Sequence, residues 1–166
     1  MVIEAIQFRK ATALGFVSGI LSGLVVITPA AGVVHPIDAL VLGAISSCAC
    51  YVALKAKSRF GYDDSLDCFG IHGVGSGLGV LLLVFFLRSE WKAGALAADA
   101  NWTVVGQLMT QATGMGATIA LAAVGTLVIC FVVEKTVGFR LPEKQEKAGM
   151  DHSLHGESGY GLLNLN

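Results

Sequence analysis

The chain has 166 residues, of which 54% are hydrophobic and 14% are charged, and its formal net charge is -1. Its mean hydropathy of +0.70 excludes an ordinary soluble domain and indicates an all-α, polytopic integral membrane protein. The Lys and Arg residues form no basic patch, which argues against nucleic acid as a partner.

The first uncharged run covers residues 11–34 and follows a short charged segment, residues 1–10. The run is long enough to cross a bilayer as a helix. Gly15, Gly19 and Gly23 are spaced by four and therefore lie on one helical face, which favours close backbone packing against another membrane helix.

Thr28 and Pro29 interrupt this run near its far end. A proline inside a membrane helix frees backbone polar groups, and irregular backbone at membrane depth is tolerated only against protein or a water-lined cavity. A simple helix end before the loop 32–36 is the alternative. The sequence leaves both interpretations open.

Two further uncharged runs predict the second and fourth spans. Residues 37–55 form the second span if the stem of Lys55 reaches to the interface. Residues 100–134 form the fourth, and about 50 Å of helix must be tilted, bent or extended beyond the membrane. The segment 88–99 between the third and fourth spans is expected to be an outer loop.

The third run, residues 64–87, begins with carboxylates and carries a histidine. Asp64 and Asp67 are predicted to support the start of the helix, because carboxylates there satisfy free amides and oppose the helix dipole. Asp67 lies a turn deeper than a cap requires, so it is alternatively a support for a pore or a neighbouring helix.

His72 is the candidate functional residue of this run. If the helix begins at Asp64, His72 lies about 12 Å along it, where an ionisable group is a functional-site hypothesis by default. A neutral imidazole donates one hydrogen bond and accepts another, which suits a small neutral polar molecule better than an ion. The alternative is a histidine satisfied by a neighbouring helix.

The four cysteines lie in apolar segments, which argues against a disulfide framework and favours small buried apolar side chains. Cys48 and Cys50 are two residues apart on a predicted helix and point away from each other. This spacing argues against a metal site of the C-x-C type.

The positions of the basic residues predict the orientation in the membrane. Of the eleven Lys and Arg residues, only Arg88 and Lys92 fall in the loop between the third and fourth spans. The other nine lie at the opposite side, so the Asp64 end of the third span and the carboxyl-terminal tail, residues 138–166, are predicted to be cytoplasmic.

Three motifs in order resemble the ammonium transporter (Amt/Mep/Rh) family. They are DDSLDCFGIHGVGSGLG in the third span, GILSGLVVITPAAGVV in the first, and VGFRLPEKQEKAGMDHSLHGESGYG in the tail. The resemblance implies a bundle made of the last four helices of the family's eleven-helix fold, within residues 11–137. Residues 1–10 then resemble the end of a preceding helix and a cytoplasmic loop, and residues 138–166 resemble the cytoplasmic tail.

The resemblance implies ammonium transport rather than an enzymatic activity, with no cofactor. In the family, ammonium loses its proton and ammonia passes two hydrogen-bonded histidines, since a neutral molecule crosses an apolar lumen at far lower cost than a cation. His72 matches the cytoplasm-side histidine, while Asp64 and Asp67 hold the helix start without touching substrate. The residues expected along or beside the pore are Thr28, Cys68 and Phe69.

The tail, by the same resemblance, docks on the cytoplasmic face and contributes to regulation, including by PII-type signalling proteins. Its matching positions are Gly149, Asp151, His155, Gly156 and Glu157. A metal site made of Asp151, His152 and His155 is the alternative. The implied location is the plasma membrane, with multiple passes, and the implied assembly is a homotrimer.

The chain departs from the family in supplying four of about eleven spans, without the segments that carry the second pore histidine. We therefore expect it to be the carboxyl-terminal part of a transporter that needs the remaining helices. The alternative function is a non-conducting truncated membrane protein that acts through its tail as a binding module for a PII-type partner.

Overall fold

The described part of the chain is helical. The structure is a computed structural model that describes residues 1–99 and 101–157, apart from the side chains at positions 96 and 97. Its α-helices are Val2–Phe8 (α1), Ala13–Ile27 (α2), Pro36–Phe60 (α3), Val74–Phe86 (α4), Ser89–Ala98 (α5), Val104–Thr136 (α6) and Glu143–Ala148 (α7). Two π-helical turns, Phe69–Gly73 and Asp151–His155, complete the described elements. Predictions about Ala100 and Ser158–Asn166 lie outside the described residues.

The chain divides into two compact units, Met1–Thr118 and Ile119–Asn166. In the first unit, α2, α3 and α4 pack on one another and on the π-helical turn Phe69–Gly73. The core of this unit consists of Val26, Ala30, Val34 and Leu42, with Leu78 and Leu82 of α4 packed against it. The site discussed below lies at one end of this three-helix core.

Three helices are long and apolar enough to cross a membrane: Pro36–Phe60, Phe69–Phe86 and Val104–Thr136. Ala13–Ile27 is a shorter apolar helix of 15 residues. No described residue of α6 is buried, and most of its large apolar side chains are exposed. A helix that is apolar all round is stable where lipid or other helices cover it.

The interruption of the first run is present in the structure. Helix α2 ends at Ile27, and the backbone continues in turns in which the Ala30 N–H donates to the Ile27 carbonyl at 2.8 Å and the Val33 N–H to the Ala30 carbonyl at 3.0 Å. Ala30 and Val34 are buried. The helix thus ends before Thr28, and the irregular backbone that follows is packed against protein, an arrangement that agrees with both interpretations.

Helix α3 is longer than the predicted span at both ends. Pro36 occupies its first turn, where a missing N–H costs nothing, and the Asp38 carboxylate accepts from the His35 N–H at 3.4 Å. The helix ends at Phe60. It is followed by Gly61, whose φ of 68° suits glycine. Lys57 therefore lies in the last turns of the helix and not in a loop.

Two elements of the structure differ from the expected ones. The third helix begins at Phe69 and not at Asp64, because residues 64–67 form a tight turn closed by the Asp67 N–H and the Asp64 carbonyl at 3.0 Å. His72 thus lies in the first turn of its helix, and the depth calculated from Asp64 does not hold. The predicted outer loop 88–99 contains the helix Ser89–Ala98.

Candidate functional site

His72 lies in the π-helical turn Phe69–Gly73, which runs directly into α4. The Val74 N–H donates to the carbonyl of Phe69, five residues earlier, as a π-helical turn requires. The His72 side chain is exposed, and no described residue forms a hydrogen bond with its ring. A neighbouring helix that satisfies His72 is therefore not found among the described residues. Single π-helical turns are rare in proteins, and those that occur are often at functional sites.

Asp64 caps the start of this turn. Its Oδ1 accepts from the Cys68 N–H at 2.8 Å, and its Oδ2 accepts from the N–H groups of Phe69 and Gly70 at 2.9 and 3.4 Å. One carboxylate thus satisfies three amides that have no partner within the helix. A negative charge at this end is also stabilised by the helix dipole.

Asp67 has a left-handed backbone conformation, with a φ of 57°. Its carboxylate forms an ion pair with the ammonium of Lys57, and that ammonium also donates to the Asp64 carbonyl at 2.8 Å. Asp67 therefore contacts the neighbouring helix α3, whereas Asp64 caps the turn. Sequence reasoning missed Lys57 because its partner lies ten residues further along the chain.

Phe69 and Cys68 are exposed beside His72 in the chain. The Phe69 ring meets the Tyr62 ring edge to face, with 5.9 Å between centroids. A Cβ built at Gly73 would lie 2.9 Å from Cδ2 of Phe69, so the aromatic ring leans over this glycine. The local fold brings Cys68, Phe69 and the Asp64 cap together at one helix start.

Thr28 lies at the end of α2 and is exposed. Its hydroxyl donates to the Leu24 carbonyl at 2.8 Å, which turns it back onto its own helix. The structure therefore places Thr28 on a different element from His72, with no hydrogen bond between them.

The predicted burial of the cysteines was wrong for two of them. Cys48 and Cys68 are exposed, Cys50 is buried and Cys130 is intermediate, and all four are free thiols. Cys48 and Cys50 differ in burial because a spacing of two places them on different sides of α3. The Cys50 thiol donates to the Ile71 carbonyl at 3.7 Å, which connects α3 to the π-helical turn beside His72.

A chain of hydroxyl groups between α2 and α3 was also missed. The Ser22 and Ser47 hydroxyls lie 2.9 Å apart, and the fully buried Ser46 hydroxyl donates to the Ser22 carbonyl at 3.0 Å. Ser46 also lies 3.7 Å from the Cys50 sulfur. The signal was available, since serine four residues before a buried cysteine marks one helical face.

The tail forms its own small arrangement of α7 and the π-helical turn Asp151–His155. Arg140 forms a bidentate ion pair with Glu146, at 2.9 and 3.1 Å, and this hydrogen bonding lowers the pKa of Glu146 below its usual 4.5. Gly149 and Gly156 have φ angles of 93° and 67°, which bound the turn. No group of three or more potential metal ligands is assembled within the described ranges.

The chain is similar to known proteins in both sequence and fold. The family model described as the Ammonium Transporter Family matches residues 1–160. An ammonium transporter of Aquifex aeolicus is 41% identical over 98% of this chain, and one of Mycobacterium tuberculosis is 36% identical over 96%. The crystal structure of Saccharomyces cerevisiae Mep2 is similar with a TM-score of 0.72, at 33% identity over 87% of this chain.

The matched part of each relative is limited. The chain covers 38% of the Aquifex aeolicus protein, 35% of the Mycobacterium tuberculosis protein and 34% of the Mep2 chain. It therefore spans little more than a third of the length of the relatives that it matches. The predicted fold class, an all-α polytopic membrane bundle, is confirmed by the likeness to Mep2.

Proposed function

Because the chain belongs to the ammonium transporter family, we propose that it forms one wall of a membrane path for ammonium, along which neutral ammonia passes His72. The chain is a multi-pass helical membrane protein, and the rest of the path is supplied by the portion of the family fold that it does not match. The proposal therefore concerns an assembly or a longer polypeptide and not this segment in isolation.

The observation that carries the proposal is the state of His72. Its imidazole is exposed and has no partner among the described residues, although it begins an apolar helix, Phe69–Phe86, of membrane-spanning length. A polar group left without a partner in an apolar setting is costly. A small molecule such as ammonia supplies what the ring lacks, because ammonia both donates and accepts hydrogen bonds.

The neighbouring residues have different roles in the proposal. Phe69 and Cys68 lie beside or along the path, because both are exposed at the same helix start as His72. Thr28 lies in the adjoining segment. Asp64 and Asp67 do not touch substrate, since one is engaged by three amides and the other by Lys57.

The orientation follows from the distribution of charge. Basic residues are concentrated at the end of α3 that leads into the Asp64–Asp67 turn, and in the tail. The positive-inside rule then places this end of His72's helix and the carboxyl-terminal tail in the cytoplasm of a cell whose plasma membrane holds the protein. The completed transporter is a homotrimer.

The test is a complementation experiment in cells that lack ammonium transport. The chain is produced together with the part of the Aquifex aeolicus relative that lies outside the match, and uptake of methylammonium is measured. We expect uptake with both polypeptides and a loss of uptake in His72→Ala. Uptake that survives His72→Ala overturns the role of His72, and no uptake with correctly inserted partners overturns the transport proposal.

A second candidate function rests on the order within the tail. Ser153 donates through its hydroxyl to the Gly149 carbonyl at 2.8 Å, and the Glu157 N–H donates to the Asp151 carbonyl at 3.0 Å. These contacts give a short polar segment a defined shape although most of its residues are exposed. Such a segment is suited to binding a PII-type regulatory protein, through Gly149, Asp151, His155, Gly156 and Glu157.

This second function has its own test. Binding of a purified PII-type protein to the full chain in lipid nanodiscs is measured for the wild type and for Asp151→Asn. We expect the substitution to weaken binding, while Lys144→Gln, on the other side of Gly149, leaves it unchanged. Equal binding by wild type and Asp151→Asn, or no binding by the wild type, counts against the tail as the recognition element.

A further inference from the structure

Lys57 joins α3 to the turn that precedes His72. Its ammonium donates to the carbonyl of Asp64 at 2.8 Å and to the carboxylate of Asp67. Both side chains of the ion pair are largely covered, with 24% of Lys57 and 29% of Asp67 exposed. One charge therefore binds the first and the last residue of the same four-residue turn.

The backbone of Asp67 adopts a conformation that is unusual for aspartate. Among the described residues other than glycine, only Arg9 and Asp67 have a positive φ. Glycine adopts this conformation at lower steric cost than aspartate does. A carboxylate thus stands where the backbone favours glycine, and its ion pair with Lys57 is a role that glycine cannot fill.

Lys57 is the last of three contacts along one face of α3. Cys50, Leu54 and Lys57 are spaced by four and three, so they lie above one another on the helix. The Cys50 thiol donates to the Ile71 carbonyl, and a Cβ at Gly70 would lie 2.6 Å from Cδ2 of Leu54. These three residues contact the chain at Ile71, Gly70 and Asp67 in turn, and within the described residues Lys57 provides the only charged contact of this face.

We propose that Lys57 is a positioning residue for His72, an inference that rests on the proposed function. Asp67 is connected to the π-helical turn through its carbonyl, which accepts from the Ile71 N–H at 2.9 Å. His72 follows directly after Ile71. When the ammonium is removed, the Asp64 carbonyl and the Asp67 carboxylate lose the donor that they share, so the turn relaxes and the start of the helix shifts together with His72.

The local part of the proposal is tested without any transport measurement. Amide hydrogen exchange is followed by mass spectrometry on the full chain in lipid nanodiscs. Lys57→Met removes the charge and keeps an unbranched side chain, whereas Lys57→Arg keeps the positive charge and several N–H donors. Arg59→Met, two residues further along the same helix, is the matched control because Arg59 is exposed and forms no ion pair with the described residues.

We expect exchange at residues 68–71 to become about tenfold faster in Lys57→Met, since the hydrogen bonds there depend on the turn. Lys57→Arg is expected to stay within about twofold of the wild type, and Arg59→Met to be unchanged. Wild-type exchange in Lys57→Met overturns the proposal.

Two substitutions at Asp67 separate charge from backbone strain. Asp67→Asn keeps a side chain that tolerates the left-handed region, and Asp67→Gly removes the strain altogether. We expect both to accelerate exchange as Lys57→Met does, and Lys57→Met combined with Asp67→Asn to be no worse than either alone. If Asp67→Gly protects these amides as well as the wild type does, the ion pair is not what holds the turn.

The transport part uses the complementation experiment described above. A displaced His72 slows passage and leaves recruitment of substrate elsewhere unaltered, so we expect Vmax for methylammonium to fall about tenfold in Lys57→Met while KM stays within about twofold. A rise in KM with unchanged Vmax overturns the positioning role. If the wild-type assembly transports nothing, the proposed function fails, whereas the exchange measurements still decide whether Lys57 holds the turn.

Discussion

A Cβ at Gly79 would lie 2.8 Å from Cγ of Pro29 and would overlap the carbonyl oxygen of Val26. Helix α4 thus passes close to the interruption of the first apolar run at the buried Gly79. The glycine allows this close approach because it has no side chain. Because the obstructing atoms include backbone, they cannot swing aside as the end of a long side chain can.

Gly79→Ala is therefore expected to destabilise the protein. Overpacking against a backbone carbonyl costs about 1–3 kcal/mol, which exceeds the gain in helix propensity of roughly 1 kcal/mol. Gly77→Ala is the matched control, since a Cβ added there would lie at an ordinary contact distance of 3.5 Å from Sδ of Met115. Thermal unfolding in a mild detergent measures the difference, and equal melting temperatures for the two variants would contradict the packing at Gly79.

Asp64→Ala is expected to weaken the start of the helix that carries His72. Three N–H groups lose their acceptor, and loss of a helix cap costs about 0.5–2 kcal/mol. Asp63→Ala removes a neighbouring carboxylate that, among the described residues, accepts from the Ser65 hydroxyl alone, at 3.1 Å, and it should cost less. Hydrogen exchange at residues 68–70 distinguishes them, and similar exchange in both variants would remove Asp64 as the cap.

Ser46→Ala is expected to loosen the contact between α2 and α3. Its hydroxyl is fully buried and donates to the Ser22 carbonyl at 3.0 Å, and a hydrogen bond of this kind contributes about 0.5–1.5 kcal/mol. Ser58→Ala, at an exposed position of the same helix, is the control. A drop in melting temperature restricted to Ser46→Ala is the expected result, whereas equal stability of both variants would show that the hydroxyl is dispensable.

The Arg140–Glu146 ion pair predicts how the tail responds to acid. Since the hydrogen bonds from Arg140 lower the pKa of Glu146 below 4.5, the folded tail is stabilised by this pair above about pH 4.5 and loses that contribution as the pH falls through the lowered pKa. Between pH 8 and pH 6 the pair does not make the stability of the folded tail depend on pH.

Nuclear magnetic resonance of the Glu146 side-chain carboxyl in the full chain measures this pKa directly. Arg140→Gln should raise this pKa towards 4.5, because it removes the hydrogen bonds from Arg140 that lower it. Lys144→Gln changes the charge of the same segment without touching the pair and should leave the pKa near its wild-type value. An unchanged titration in Arg140→Gln would show that another group lowers the pKa.

Much of the candidate site could be predicted from local sequence. Asp64 was assigned to the helix start, and it does satisfy amides there, since the cap and its partners lie within six residues. His72 stood out because an ionisable residue in an apolar run is rare. Lys57 could not be found in this way, because a lysine near the end of a membrane helix has an ordinary explanation as an interfacial anchor.

The sequence by itself determined that the protein is a bundle of apolar membrane helices, because hydropathy and length are properties of each segment alone. Its three ordered motifs also determined the family. Only the tertiary structure decided what packs around the helix ends. Lys57 of α3 binds the turn before the helix of His72, and Gly79 of α4 lies against the Val26 carbonyl close to the end of α2 at Ile27. These contacts join residues far apart in the chain, so no local pattern encodes them.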